Sequence, residues 1–331
     1  MPTNRAMAAA AALLLLAVAA AGCTGPPAGV ARSQWAYDAV QVTDLLGQGR
    51  SGAGIAVAVL DTGIDLGGPY MGGVVLTYWE DLVDGRAEPY DDNGHGTAMA
   101  SILVGRGALA GGAPGVDLIV IKVIAGDGSG SDATVATGIT HAVSAGADII
   151  SLSLGGGSLP ILGSASTQAA DSAIAAGVFV VASAGNDGGP GDDGQVAAPG
   201  VSRDAISVGA VDADLAIAPF SSKGRAVLFP PSSDPDRKPE VVAPGVGIAV
   251  AWTGGSAATV SGTSPAAVFV SAGLALLLEA HPELVRQGSA AVGEVKQALM
   301  DSARAVGGQQ TPHDDYYGYG LFQASGAGAL L

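Results

Sequence analysis

The sequence predicts a doubly wound α/β fold, a mostly parallel central sheet with helices on both faces, and three observations predict it. Strand-like apolar runs alternate with helical patterns along most of the chain. The runs are continuous in Val and Ile rather than interleaved with polar residues, so each strand lacks a polar face and must be covered by helices above and below. The 52 glycines among 331 residues supply the tight turns and close approaches such a wound chain needs. In order, the strand-like runs are GIAVAVLDTG (54–63), VDLIVIKVI (116–124), ADIISLSLGG (147–156), VFVVASAGN (178–186) and AISVGAVD (205–212). Helical patterns follow His95, span ATVATGITHAVSAG (133–146) and end at Gly177. A proline-rich segment (230–244) and two helices near 264–280 and 290–304 complete the chain. No repeat or second domain is evident, and one domain is expected over 34–331, about the upper size for a single hydrophobic core.

The N-terminus reads as an export segment. Residues 1–22 carry Arg5, an uncharged stretch from Met7 to Ala21, and Ala20-Ala21-Gly22 just before Cys23, which is a signal-peptide layout. Cys23 is the only cysteine, so no intrachain disulfide forms. Its place after a small-residue junction resembles a bacterial-type lipobox, with Ala20 where such boxes usually carry Leu. Lipidation of Cys23 is therefore expected, with residues 23–33 as a Pro- and Gly-containing tether. The expected location is the outer face of the cytoplasmic membrane or the cell envelope, held there by the lipid alone, or the medium if the anchor is absent. Thirty acidic against fourteen basic side chains give a net charge of −16, which repels phosphates and anionic headgroups and excludes nucleic acid as a partner.

Three glycine-framed residues carry candidate chemistry. Asp61 closes the run IAVAVL, at the carboxyl end of a strand where open α/β sheets gather functional groups. His95 stands in Asn93-Gly94-His95-Gly96-Thr97 and opens a helix; its flanking glycines are expected to let other groups approach the ring. Ser264 lies in Ser261-Gly262-Thr263-Ser264-Pro265, with Pro265 suited to the first helical position and Ser264 just outside it, where it also reads as an N-cap. Taken singly, these residues are equally a turn aspartate, a surface histidine and a capping serine. Together, in the order Asp, His, Ser, they follow one of the known chain orders of a nucleophilic triad.

With VAVLDTGID, NGHGTAMASILVG, VVASAGNDG, SGTSPAA and YYGYGLFQA, the chain resembles the subtilisin-like serine proteases from about Gln34 to Ala324. That resemblance implies a peptide or protein substrate, an acyl-enzyme on Ser264 with His95 as base and Asp61 as its orienting partner, and an oxyanion bound by the Asn186 amide and the Ser264 N–H. It implies a substrate cleft between Gly128-Ser129-Gly130 and Ser153-Leu154-Gly155. The pocket for the residue before the scissile bond has walls from Ser153 to Gly156 and Ser183 to Gly185, and a floor at Ala197. A monomer is expected, and the chemistry requires no cofactor. No carboxylate cluster has EF-hand-like calcium spacing, and structural calcium is left open.

The sequence departs from the family's pattern at Pro265, where Met is usual, and at Val268, where Pro is common. Two rivals share the fold: a peptide-binding pseudoprotease and a peptide ligase or cyclase working through the same acyl-enzyme. A third, a dinucleotide enzyme built on Gly128-Ser129-Gly130-Ser131-Asp132-Ala133, fails because Asp148, its would-be ribose ligand, begins its strand instead of ending it. About a dozen residues separate Cys23 from Trp35, too few for a folded propeptide, so folding is expected to be unaided or assisted in trans.

Overall fold

Residues 12–14, 30–155, 164–189, 194–224 and 236–331 are described by a computed structural model. Cys23, Gly156 and most of the signal segment and tether lie outside them. The strands are β1 (Ala12–Leu14), β2 (Ala56–Asp61), β3 (Leu76–Asp81), β4 (Asp117–Lys122), β5 (Ser129–Ser131), β6 (Ile149–Leu152), β7 (Phe179–Ser183), β8 (Ile206–Val211), β9 (Val241–Pro244), β10 (Ile248–Trp252) and β11 (Ser256–Val260). The helices are α1 (Gln34–Ala39), α2 (Val42–Gly47), α3 (Gly68–Met71), α4 (His95–Val104), α5 (Asp132–Ser144), α6 (Ala165–Ala175), α7 (Thr263–Ala280), α8 (Ser289–Asp301) and α9 (Ala324–Gly328).

Seven strands form the central sheet in the order β3-β4-β2-β6-β7-β8-β9, and every pairing in it is parallel. Helices cover both faces. Gly138 of α5 sits against Leu60, Ile121 and Val123, while Ser271 of α7 bonds Ser151 Oγ at 3.0 Å. Ser151 pairs in register with Val59, whose neighbour Leu60 points the other way, so α5 and α7 lie on opposite faces. The inner strands are buried along nearly their whole length, as their unbroken apolar runs require.

Helix α7 is long and apolar enough to cross a bilayer by length and composition, yet Thr263 to Leu278 are all buried within the fold. Its alanines and leucines are strong helix formers that pack closely, and Pro265 stands in the first turn, where no N–H is needed. The helix starts one residue earlier than expected, at Thr263 with Gly262 as its cap, so Ser264 is inside the first turn and not the N-cap. Serine caps do start α5 and α6, where Ser131 and Ser164 accept from the N–H of Thr134 and Thr167.

Beyond the sheet, Glu240 leads into β9 and takes both Lys238 Nζ (2.7 Å) and Lys296 Nζ of α8 (2.9 Å) on one oxygen, with Ser207 N–H on the other. Burial holds the Lys238 ammonium below its ordinary range, to about 8, against the pull of Glu240. The cations are tolerated because both also donate to the Arg203 carbonyl, and Lys238 to that of Ala205.

Candidate active site

Asp61 ends β2, and its backbone carbonyl is gripped by the N–H of Val123 and Ile124 beyond the neighbouring β4. Its Oδ1 accepts from Thr62 N–H at 2.7 Å and lies 2.7 Å from His95 Nδ1. Oδ2 is buried with no hydrogen bond from the described residues, so Thr62 and His95 supply the compensation for the carboxylate. This contact sets the His95 tautomer, with the proton on Nδ1 and Nε2 left as the basic nitrogen. Burial of the ring pushes the His95 pKa down, but the charge and hydrogen bond of Asp61, with a further contribution from Asp91, outweigh it and hold the pKa above its ordinary value.

The loop bearing His95 is held by Asp91. Its Oδ1 accepts from Thr62 Oγ1, Asn93 N–H and Gly94 N–H, and its Oδ2 from the N–H and Oγ1 of Thr97. Burial raises this carboxyl, but these donors outweigh burial and keep its pKa below the ordinary range. Thr62 Oγ1 in turn accepts from Gly96 N–H at 2.9 Å, so the turn after the aspartate and the start of α4 form one network. The flanking glycines let other parts of the chain come close. A Cβ on Gly94, whose φ is +109°, would enter the Trp252 ring, and one on Gly96 would strike the Gly63 backbone. They allow Trp252 and the Gly63 backbone to pack closely beside the histidine.

Ser264 stands in the first turn of α7, and its Oγ donates to the carbonyl of Ser153 at 3.0 Å. Among the described residues no hydrogen bond joins Ser264 Oγ to His95. Ser153 Oγ donates back to the Ser264 carbonyl at 3.1 Å, so the two chains clasp each other. Asn186 lies in the turn after β7 with its Oδ1 accepting from Thr263 N–H (2.9 Å) and Thr263 Oγ1 (3.1 Å). Thr263 Oγ1 also accepts from Gly185 N–H. Those contacts fix which end of the amide is which: Nδ2 is turned outward, near Gly262. Thr263, hidden to sequence reasoning as a plain helix-start residue, is thus what aims Asn186.

The remaining predicted residues fall in two groups, one on the segment around β5 and one around Ser153 and Ala197. Gly128 has φ +82° and turns the chain into β5, which holds Ser129 and Gly130. A Cβ on Gly130 would collide with Ile124, which explains the small residue there. The β5 edge accepts Ala12–Leu14 as an antiparallel strand. Leu154 is buried and its carbonyl accepts from Ser183 Oγ. A Cβ on Gly155 would stand 3.1 Å from the Ala197 methyl and one on Gly185 3.4 Å from it, so the two expected walls and the floor adjoin. Val268 is fully buried in α7.

Asp148 accepts from Ala56 N–H and Arg286 Nε at the start of β6, which occupies it structurally and closes the dinucleotide reading. Among the described residues no group of three or more His, Cys, Asp or Glu is gathered as a metal site.

The model of the subtilase family matches residues 52–320. Subtilisin DY of Bacillus licheniformis is 33% identical over 296 residues, covering 87% of this chain and 96% of that protein. Serine protease AprX of Bacillus subtilis (strain 168) is 34% identical over 300 residues, 77% of this chain and 62% of the relative. Subtilisin Savinase of Lederbergia lenta is 31% identical over 300 residues, 88% and 97% of the two chains. With that match spanning the seven-stranded sheet, helices α3 to α8 and all four candidate residues, the chain belongs to the subtilase family and is a subtilisin-like serine endopeptidase.

Proposed function

We propose that the enzyme is exported and cleaves peptide bonds through an acyl-enzyme on Ser264, with His95 as general base and acid, Asp61 as its orienting partner, and the Asn186 amide with the Ser264 N–H as the oxyanion site. The observation that carries this reading is the buried 2.7 Å contact of Asp61 Oδ1 with His95 Nδ1. It holds the imidazole so that Nε2 can take the Ser264 proton and later give it to the leaving amine, and the carboxylate stabilises the cation in between. The outward Nδ2 of Asn186 and the N–H groups at the start of α7 meet the charge that develops on the carbonyl oxygen. In the resting arrangement Ser264 donates to the Ser153 carbonyl. A substrate N–H that takes this carbonyl frees the hydroxyl to turn to His95, in keeping with catalytic hydrogen bonds that tighten only in the complex. The same resting bond favours a second reading, a peptide-binding protein without turnover.

The pocket walled by Ser153, Leu154, Gly155 and Ser183 to Gly185 above Ala197 presents backbone and side chains that are small except for Leu154. Selectivity there comes from burial, worth about 1–3 kcal/mol per methylene-scale change, and a substrate Lys or Arg paired with Asp187, next to Asn186 at the rim, adds only about 0–1 kcal/mol. Peptides with Leu or Phe before the scissile bond are therefore expected to be cut faster than those with Asp, Glu or Gly. A series varied only at that residue, read as kcat/KM at two salt concentrations, tests this. Arg or Lys preferred over Leu and Phe by more than about tenfold, fading at high salt, would contradict the pocket assignment. Peptides bound but not cut would favour the binding-only reading, and capture of the acyl group by an added amine in place of water would favour a ligase.

The Ala-Ala-Gly-Cys junction supports a lipid anchor on Cys23. Stable anchoring takes more than one lipid chain, as a bacterial-type lipoprotein has. Cys23→Ser is expected to move the protein from the membrane fraction to the soluble one; an unmodified Cys23 in exported wild type, seen by mass spectrometry, would rule the anchor out.

A further inference from the structure

Lys122 is the last residue of β4, a charged side chain that closes an apolar strand and is fully buried. Burying an ammonium is expensive unless every proton finds an acceptor, and here all three do. Lys122 Nζ donates to the Thr62 carbonyl at 2.6 Å, to Asp92 Oδ1 at 2.7 Å and to the Ile124 carbonyl at 2.9 Å. It also lies 5.0 Å from the centre of the Tyr90 ring. These acceptors belong to three different segments. Thr62 follows Asp61 and bonds the Asp91 that holds the His95 loop; Asp92 lies in that loop; Ile124 begins the segment that runs through Gly128 into β5. A second tie runs in parallel, from Asn93 Nδ2 to the Gly126 carbonyl at 3.0 Å.

We propose that Lys122 is a positioning residue that couples the peptide-binding edge to the Asp61–His95 pair, a role that rests on the proteolytic reading above. A peptide paired along β5 bears on the 124–130 segment, and Nζ is where that segment meets the aspartate turn and the histidine loop. Contacts remote from the scissile bond then improve alignment of the base and not only binding, so they appear in kcat. Thr62 and Ile124 present backbone carbonyls to Nζ, so the Ile124 side chain can vary without touching these bonds, whereas Lys122 and Asp92 cannot, and Thr62 is also held by its own hydroxyl through Asp91 and Gly96.

The test compares p-nitroanilides with one and with four residues before the scissile bond, in wild type, Lys122→Met and Asp92→Asn. Met keeps the length of the side chain and removes its three donors; Asp92→Asn removes one charged acceptor from a carboxylate that is partly exposed, and leaves the two carbonyl bonds in place. Lys122→Met is expected to reduce the kcat gain on lengthening the peptide by about tenfold, within the usual range of coupling between sites. Asp92→Asn should reduce it in the same direction by less. A gain unchanged in both variants, or a loss equal for short and long substrates, would overturn the proposal, since a merely structural lysine would slow both alike. If Lys122→Met fails to fold by circular dichroism, Asp92→Asn decides alone, by whether the gain falls or stands. Wild type that hydrolyses neither substrate would defeat the proteolytic reading itself, a result distinct from an unchanged gain.

Discussion

Ser264→Ala is expected to abolish proteolysis while the enzyme remains folded. The loss known for the corresponding serine of subtilisin is about 10⁶-fold in kcat, and the same order is expected here. Only one oxygen is removed, and with it the hydrogen bond to the Ser153 carbonyl, worth about 1 kcal/mol net. The clasp between the two segments survives through Ser153 Oγ and the Ser264 carbonyl. Alanine is also a better helix former than serine within a first turn. Thermal unfolding should therefore shift little while turnover vanishes. Activity above a hundredth of wild type, with contaminating protease excluded, would remove Ser264 from the mechanism.

Asp61→Asn is expected to cost about 10⁴-fold in kcat, the size seen when the triad aspartate of a serine protease is made neutral. The amide fits the space, and because Thr62 N–H and His95 Nδ1 share Oδ1, an amide oxygen at that place keeps both hydrogen bonds. What the variant loses is the negative charge that stabilises the imidazolium formed when His95 takes the Ser264 proton. A second effect has a definite sign. The Asp61 charge is what lifts the His95 pKa against burial, so its removal lets burial win and lowers that pKa. The acid limb of kcat/KM, where neutral His95 is required, should lie above about 6.5 in wild type and move down in the variant. Because the folded pKa of His95 is raised, the pair stabilises the fold fully below about pH 6.5 and loses that contribution as pH rises through the folded pKa. Activity thus appears over the window in which this stability is given up. A limb that stays in place in Asp61→Asn would show that another group controls the base.

How far the sequence went can be read from particular residues. Strands β2, β4, β6, β7 and β8 were legible because burial on both faces writes an unbroken apolar run, and α4, α5 and α7 because each starts beside a glycine, serine or proline signal. Edge strand β3 was missed, since LTYWED is half exposed and polar at its end, and the hairpin of β10 and β11 is too rich in small residues to declare its period. Asp61, His95, Asn186 and Ser264 were legible by motif. The residues that aim them were not. Thr263 reaches back 77 positions to Asn186, and Asp91 works through backbone N–H groups of its own loop, contacts that leave no periodicity. Gly94 and Gly96 signalled a close approach beside the histidine, but the groups that come close, Trp252 and the Gly63 backbone, lie on other segments of the chain. Lys122 did leave a signal: a lysine inside VDLIVIKVI, where two-sided burial leaves no room for an unpaired charge.

The central claim is that Ser264 is a nucleophile activated by His95, and reaction with a fluorophosphonate tests it most directly. The account predicts one phosphonyl group per chain, found by mass spectrometry on the peptide that contains Ser264, absent in Ser264→Ala and slowed sharply in Asp61→Asn. Labelling at another residue, or folded wild type that stays unlabelled while a subtilisin control reacts fully, would contradict it.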